Sequence, residues 1–167
     1  MAVRAGEPLA KHTTFRIGGP ADAYVQARTL DQFTAAVRAA WGLNLPTLVI
    51  GGGSNLLIRD GGFRGLVIEM RARTLTGLNS PSPSLRAQGQ VVEVPILAEA
   101  GAPLAALARK TAALGVAGLE WAIDVPGTVG GAVVNNAGAH GGDMATAITA
   151  APGASARWRA AGSRSRH

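Results

Sequence analysis

The chain has 167 residues, 47% of them hydrophobic, with 23 glycines and no cysteine. That is enough for one domain or two small lobes sharing a core, and it excludes disulfides, thiolate catalysis and cysteine metal sites, while an aromatic content of 4% excludes a stacking platform for single-stranded nucleic acid. The net charge of +6 is uneven: all ten acidic and twelve of the sixteen basic residues lie in residues 1–150, whereas the last seventeen residues hold Arg157, Arg159, Arg164 and Arg166 and no acid, so the body is nearly balanced and no nucleic-acid partner is expected.

In chain order, Phe15-Arg16-Ile17-Gly18-Gly19-Pro20 reads as a turn and Ala23 to Ala27 as a short strand. Thr29-Leu30-Asp31-Gln32 has the spacing of a capping box, and Leu30, Phe33, Val37 and Trp41 follow as one face of a helix that Pro46 closes. Thr47 to Ile50 is a buried strand running into Gly51-Gly52-Gly53-Ser54-Asn55, and Gly65 to Met70 is a second strand. Residues 77–84, rich in Ser and Pro, read as a loop. Val91 to Ala100 is expected as a strand, with Pro103 as the first residue of a helix whose inner face is Leu104, Leu107, Ala108 and Ala112 and whose left-handed stop is Gly115. A second glycine-rich region follows over residues 118–142. The boundaries expected are a first α/β lobe over 1–76, a second over 85–150, and a basic tail over 151–167 that reads as disordered or out of frame. No signal-peptide core opens the chain, and Val129 to Ala139 is too short and too interrupted by Gly and Asn to span a bilayer. A cytoplasmic protein without a membrane partner is expected.

The two glycine loops carry the chemistry. Three consecutive glycines after a strand let the backbone approach a ligand closely, and successive N–H groups make an anion-binding nest to which Ser54 and Asn55 add donors. A tight turn between strands is the competing reading. The familiar nucleotide fingerprints fail: Leu56 stands where a dinucleotide-binding GxGxxG needs glycine, and no Lys follows a Gly anywhere in the chain. The second loop, Pro126-Gly127-Thr128-Val129-Gly130-Gly131-Ala132, reads as a turn entering a short helix or strand with Thr128 as its cap. Two such loops, each ending a lobe, fit a long ligand with a phosphate bridge.

These segments resemble the UDP-N-acetylenolpyruvoylglucosamine reductase (UDP-N-acetylmuramate dehydrogenase) family. The resemblance rests on Thr14-Phe15-Arg16-Ile17-Gly18-Gly19-Pro20-Ala21, Gly51-Gly52-Gly53-Ser54-Asn55-Leu56-Leu57, Gly118-Leu119-Glu120, and Pro126 to Ala132 followed by Asn136-Ala137-Gly138-Ala139. It implies an α+β, two-lobed FAD-binding domain of the vanillyl-alcohol-oxidase type, truncated before its substrate domain. It further implies FAD as cofactor, NADPH as hydride donor and a UDP-sugar as substrate. The cofactor residues it implies are Arg16, Gly51, Gly52, Gly53, Ser54, Asn55, Leu56, Ala100, Gly101, Gly118, Val125, Pro126, Gly127, Thr128, Gly130, Gly131, Ala132, Asn136 and Gly138. The serine, glutamate and arginine that act on the substrate in the family have no counterparts here, so no catalytic residue is assigned, and no metal ligand. Another oxidoreductase of the same flavin fold, or a non-catalytic flavin-binding module, is the alternative. Self-association through surface exposed by truncation is expected. Asp124 stands where the family has glycine and must either face away from a diphosphate or weaken its binding. His140 and His12 read as structural or surface residues.

Overall fold

The computed structural model describes residues 1–78 and 94–150. Most of the 77–84 loop, the start of the expected 91–100 strand and the 151–167 tail lie outside the described residues. The first half is built on a four-stranded sheet in the order β1-β2-β4-β3, with β1 Val3–Pro8, β2 Pro20–Ala27, β3 Thr47–Ile50 and β4 Phe63–Met70. β1 runs antiparallel to β2, while β2 and β3 both run parallel to β4, which is inserted between them. β4 is the central strand, and Leu66-Val67-Ile68 is an uninterrupted apolar run because both faces of the sheet are covered. On one face Tyr24, Ile50 and Val67 pack with Leu9, Ala21 and Ile58. On the other, Val25, Ala27, Leu66 and Ile68 pack against Ala36 and Ala40 of helix α1, Leu30–Gly42.

Helix α1 begins as its sequence requires, Thr29 Oγ1 accepting from the Gln32 amide at 3.2 Å. The Gln32 side chain reaches one residue further back than a capping box would take it, accepting from the Arg28 amide at 2.8 Å. Its inner face differs from the one expected. Phe33, Ala36, Val37 and Ala40 meet the sheet, whereas Leu30 and Trp41 are 64% and 73% exposed. The stripe 33, 36, 37, 40 holds one angular position along the helix, from which 30 and 41 lie off at either end. β1 was not foreseen, since Val3–Pro8 is almost wholly exposed and lacks an apolar alternation.

The second half uses shorter pieces. β5 (Leu75–Thr76) pairs antiparallel with β6 (Leu97–Ala98), so the strand expected up to Ala100 is confined, among the described residues, to two positions before the chain turns at Gly101. Helix α2 is Leu104–Ala113, and Pro103 precedes it with extended geometry as the cap instead of the first helical residue. Its inner face is Leu104, Leu107, Ala108 and Thr111. Ala112 is exposed, and Thr111 takes the buried place because its hydroxyl is satisfied by the Ala108 carbonyl at 2.8 Å. A 3-10 turn over Glu120–Ala122 brings Trp121 inward, where it joins Leu104, Ala108, Ala132 and Met144 in a separate core. Helix α3, Val129–Asn135, ends at Asn136 in the left-handed conformation. The hairpin β7 (Gly138–Ala139) and β8 (Gly142–Asp143) turns on His140 and Gly141, both with positive φ, as a two-residue hairpin turn of this hand demands. His140 is therefore an exposed turn residue. A last short helix, α4, spans Met144–Ala147, capped by Asp143.

Candidate functional site

The two glycine loops meet. Gly51 follows β3 directly, and a methyl group on its Cα would collide with the Thr128 hydroxyl; one on Gly52 would fall 3.3 Å from Gly127 Cα. The loops are fastened to each other by Ser54 Oγ, which donates to the Pro126 carbonyl at 3.4 Å, and by Asn55 Nδ2, which donates to Asn135 Oδ1 at 3.5 Å. Gly53 has φ +67 and faces the other way: a side chain there would strike the His12 carbonyl. Its own carbonyl accepts from the Thr14 amide at 3.1 Å. The first loop is thus wedged between the 9–14 segment behind it and the second loop in front.

The second loop is held by backbone bonds to the strand end before α2. Val129 N donates to Ala102 O and Gly130 N to Ala100 O, each at 2.8 Å, while Leu104 N donates to Gly127 O at 3.1 Å. Thr128 caps α3, its hydroxyl accepting from the Gly131 amide at 3.4 Å.

Between the loops lies a cleft of about 200 Å³, bordered by Gly51, Gly52, Ser54, Gly101, Pro126, Gly127 and Thr128, with Thr14, Met70, Arg71, Arg73 and Pro103 completing it. Sites that enclose a whole drug-sized ligand run to roughly 300–1,000 Å³, so this one takes a segment of a longer molecule. Among the described residues, no acceptor meets the backbone amides of residues 51–55. Those residues are partly open to solvent, Gly53 excepted, but Arg71 Nε is buried and without a partner. Buried donors are ordinarily satisfied. A row of open amides, a cationic side chain and walls that exclude any side chain fit the diphosphate segment of a nucleotide cofactor.

The expected cofactor residues divide accordingly. Gly51, Gly52, Ser54, Gly101, Pro126, Gly127 and Thr128 border the cleft. Gly53, Asn55, Ala100, Gly130 and Gly131 shape the loops through the contacts given above. Leu56, Val125 and Ala132 pack into the flanking cores. Asn136 ties α3 to α4, donating to Asp143 Oδ2 at 3.3 Å and accepting from the Ala145 amide at 2.8 Å, and Gly138 lies in the β7–β8 hairpin. Gly118 bonds only locally, its amide donating to Glu120 Oε2 at 2.8 Å. Arg16 sits in an exposed turn with φ 56, outside the cleft lining. Asp124 is exposed and does not border the cleft either.

Sequence reasoning missed the polar group behind the first loop. Glu69, on β4, is 1% exposed. The Tyr24 hydroxyl donates to its Oε2, Gln26 Nε2 donates to the same oxygen at 3.1 Å, and Arg71 Nη2 lies 2.5 Å from Oε1. His12 joins from the far side, its Nδ1 3.4 Å from Glu69 and its Nε2 3.0 Å from Glu7. Burial pushes the Glu69 carboxyl upward, but the bonds from Tyr24 and Arg71, the Arg71 charge and Gln26 outweigh it and hold the group below the usual carboxylate range. The Tyr24 phenol is raised, by burial first and then by the carboxylate it bonds. Glu7 is lowered chiefly by its hydrogen bond with His12. The signal was an acid inside an apolar strand, Leu66-Val67-Ile68-Glu69-Met70, which the register sets opposite Gln26, two residues beyond Tyr24.

Two glycine loops wall one cleft, and a family model described as an FAD binding domain matches residues 21–151; the chain belongs to that family. Its curated relatives include the UDP-N-acetylenolpyruvoylglucosamine reductase of Chloroflexus aggregans, 42% identical over 150 residues (89% of this chain and 46% of the relative), and that of Rubrobacter xylanophilus, 43% identical over 147 residues (88% and 46%). The crystal structure of the UDP-N-acetylenolpyruvylglucosamine reductase from Thermus caldophilus matches with a TM-score of 0.62 at 30% identity, over 86% of this chain and 45% of that one. The α+β FAD-binding fold that the sequence motifs implied is therefore the observed one. The chain spans about half the length of the curated relatives it matches.

Proposed function

We propose that this chain holds FAD with its diphosphate between the Gly51–Asn55 and Pro126–Ala132 loops, as the cofactor-binding part of an NADPH-dependent reductase. The substrate is the enolpyruvyl ether of UDP-N-acetylglucosamine and the product UDP-N-acetylmuramate, a precursor of the cell wall made in the cytoplasm. The carrying observation is the convergence of two glycine loops, 75 residues apart by the Gly52–Gly127 approach, on one cleft where the first loop's amides have no acceptor among the described residues. Bound FAD supplies the hydride chemistry. This chain's residues bind and orient: Gly51, Gly52, Ser54, Gly127 and Thr128 border the cleft, and bare Gly51 and Gly52 let the two loops approach this closely. The substrate-binding and proton-donating groups are not assigned to any residue here.

The test is a visible absorbance spectrum of the purified chain, with flavin released by heat and identified by chromatography. FAD at close to one per chain, reducible by NADPH, is the expected outcome. A folded, colourless chain that also refuses added FAD would sink the reading.

A further inference from the structure

Glycine amides give a diphosphate hydrogen bonds but no net charge, so the cation beside them decides how firmly the ligand's charge is met. Three arginines are placed to be considered. Arg16 lies outside the cleft. Arg73 borders it but is exposed, with no anchoring partner among the described residues. Arg71 borders it and is fastened at two points: its amide donates to Ala27 O at 2.7 Å, and its Nη2 meets Glu69 Oε1.

The clamp on Arg71 is costly to build. Withdrawing a carboxylate from water carries a penalty of several kcal/mol, recovered only with good geometry and full hydrogen bonding. Glu69 meets that requirement with Tyr24, Gln26 and Arg71. Arg71 stands two residues beyond Glu69 at the end of the strand, on the same side of the sheet, which carries its guanidinium from the buried carboxylate to the cleft. Only one edge of the guanidinium is used by Glu69. The buried Nε is left without a partner, on a side chain that borders the cleft together with Gly51, Gly52 and Ser54.

We propose that Arg71 contacts the diphosphate of the bound flavin nucleotide and that Glu69 is the positioning residue that aims it. This rests on the FAD reading above. A guanidinium already fixed on one side loses little freedom on meeting a phosphate, which is how preorganisation becomes affinity. The buried carboxylate belongs to the ligand site through Arg71, although it touches no ligand itself.

The experiment titrates the full chain with FAD as wild type, Arg71→Gln, Arg71→Lys and Glu69→Gln, and records the phosphorus NMR spectrum and visible absorbance of each saturated complex. Arg71→Gln should weaken FAD about ten- to hundredfold, the range for a hydrogen bond to a charged group. It should move the two diphosphate resonances while the flavin absorption envelope stays in place. Arg71→Lys should recover part of the affinity, and Glu69→Gln should show an intermediate loss with a smaller phosphorus shift. Unchanged affinity in both Arg71 variants, or a change in the flavin envelope without one in the phosphorus spectrum, would overturn the assignment. Should Arg71→Gln fail to fold, Arg71→Lys decides by the same two spectra. A wild-type chain that binds no FAD overturns the flavin reading itself, a result distinct from wild-type binding with indifferent variants.

Discussion

The two walls of the cleft are held in place by different physics. The Gly51–Asn55 wall hangs from a four-stranded sheet with a covered face on each side, backed by a buried carboxylate with donors on both its oxygens. The Pro126–Ala132 wall belongs to a region of two-residue strands and helices of ten, seven and four residues gathered around Trp121. It is held by three backbone bonds to residues 100–104 and meets the first wall through Ser54 and Asn55. The first wall borrows its precision from long elements and side-chain packing. The second owes its position to caps, left-handed residues and close backbone approach, which are strong locally but open with less free energy. A site made this way has one jaw set by long elements and one set by local backbone contacts.

The largest effect that would break this contrast is at the first jaw. Glu69→Ala leaves Arg71 and the Tyr24 hydroxyl without their acceptor and should destabilise the chain by about 3 kcal/mol, the lower end for a broken buried pair because Arg71 keeps some solvent contact; urea unfolding measures it. Gly51→Val acts on the gap between the jaws. It should leave the urea midpoint within about 1 kcal/mol of wild type, because the collision with Thr128 can be relieved by the second loop moving away. It should nevertheless lower FAD affinity by at least about tenfold, each tenfold being near 1.4 kcal/mol, as read by flavin fluorescence. If the unfolding energy fell as far as in Glu69→Ala, the second loop would be as rigid as the first.

Acid gives a smaller and sharper test. Glu69 and Glu7 have folded pKa values below the ordinary 4.5, so each contributes stability that is fully present above about pH 4.5 and is lost as pH falls through the depressed folded value. Asp143, lowered by the Thr146 amide it caps, acts in the same direction from the second region. Stability measured from pH 6 to pH 3 should therefore decline, and Glu69→Gln should flatten most of that decline if the buried carboxylate of the first region dominates it. The smallest effect is expected at Trp41→Gln. That side chain is 73% exposed, and its loss should stay within about 0.5 kcal/mol, whereas its place in the helical repeat suggested a core residue.

Trp41 shows where the sequence was legible and where it was not. Signals that close within a few residues were read correctly: the Thr29 cap, the Thr128 cap, the left-handed Gly115 and the glycines that must stay bare. Helical faces were read to within a residue or two, because periodicity gives a stripe but not which end of it the neighbouring sheet covers. β1 and the group around Glu69 were not read. Their partners lie far off in the chain, Tyr24 being 45 residues from Glu69, and nothing local marks which strand will lie beside which. The cleft itself was legible in outline, since both loops were seen, while the place of Arg71 at its border became visible only when β4 was set between β2 and β3.

That placement sets an order of assembly during synthesis. β2 and β3 are complete before β4 emerges, yet they do not touch; the strand that joins them is made last. Of the three pairings only β1 with β2 can form before β4 is made; β3 has no partner until residues 63–70 are available, and the β2–β4 pairing must skip over it. Parallel pairing of this kind is slow because loops must close before any ladder rewards them. The waiting edges are the segment's exposure to misassociation and to chaperones. The strand made last in the sheet is thus the one that joins β2 to β3 and carries Glu69 to Tyr24.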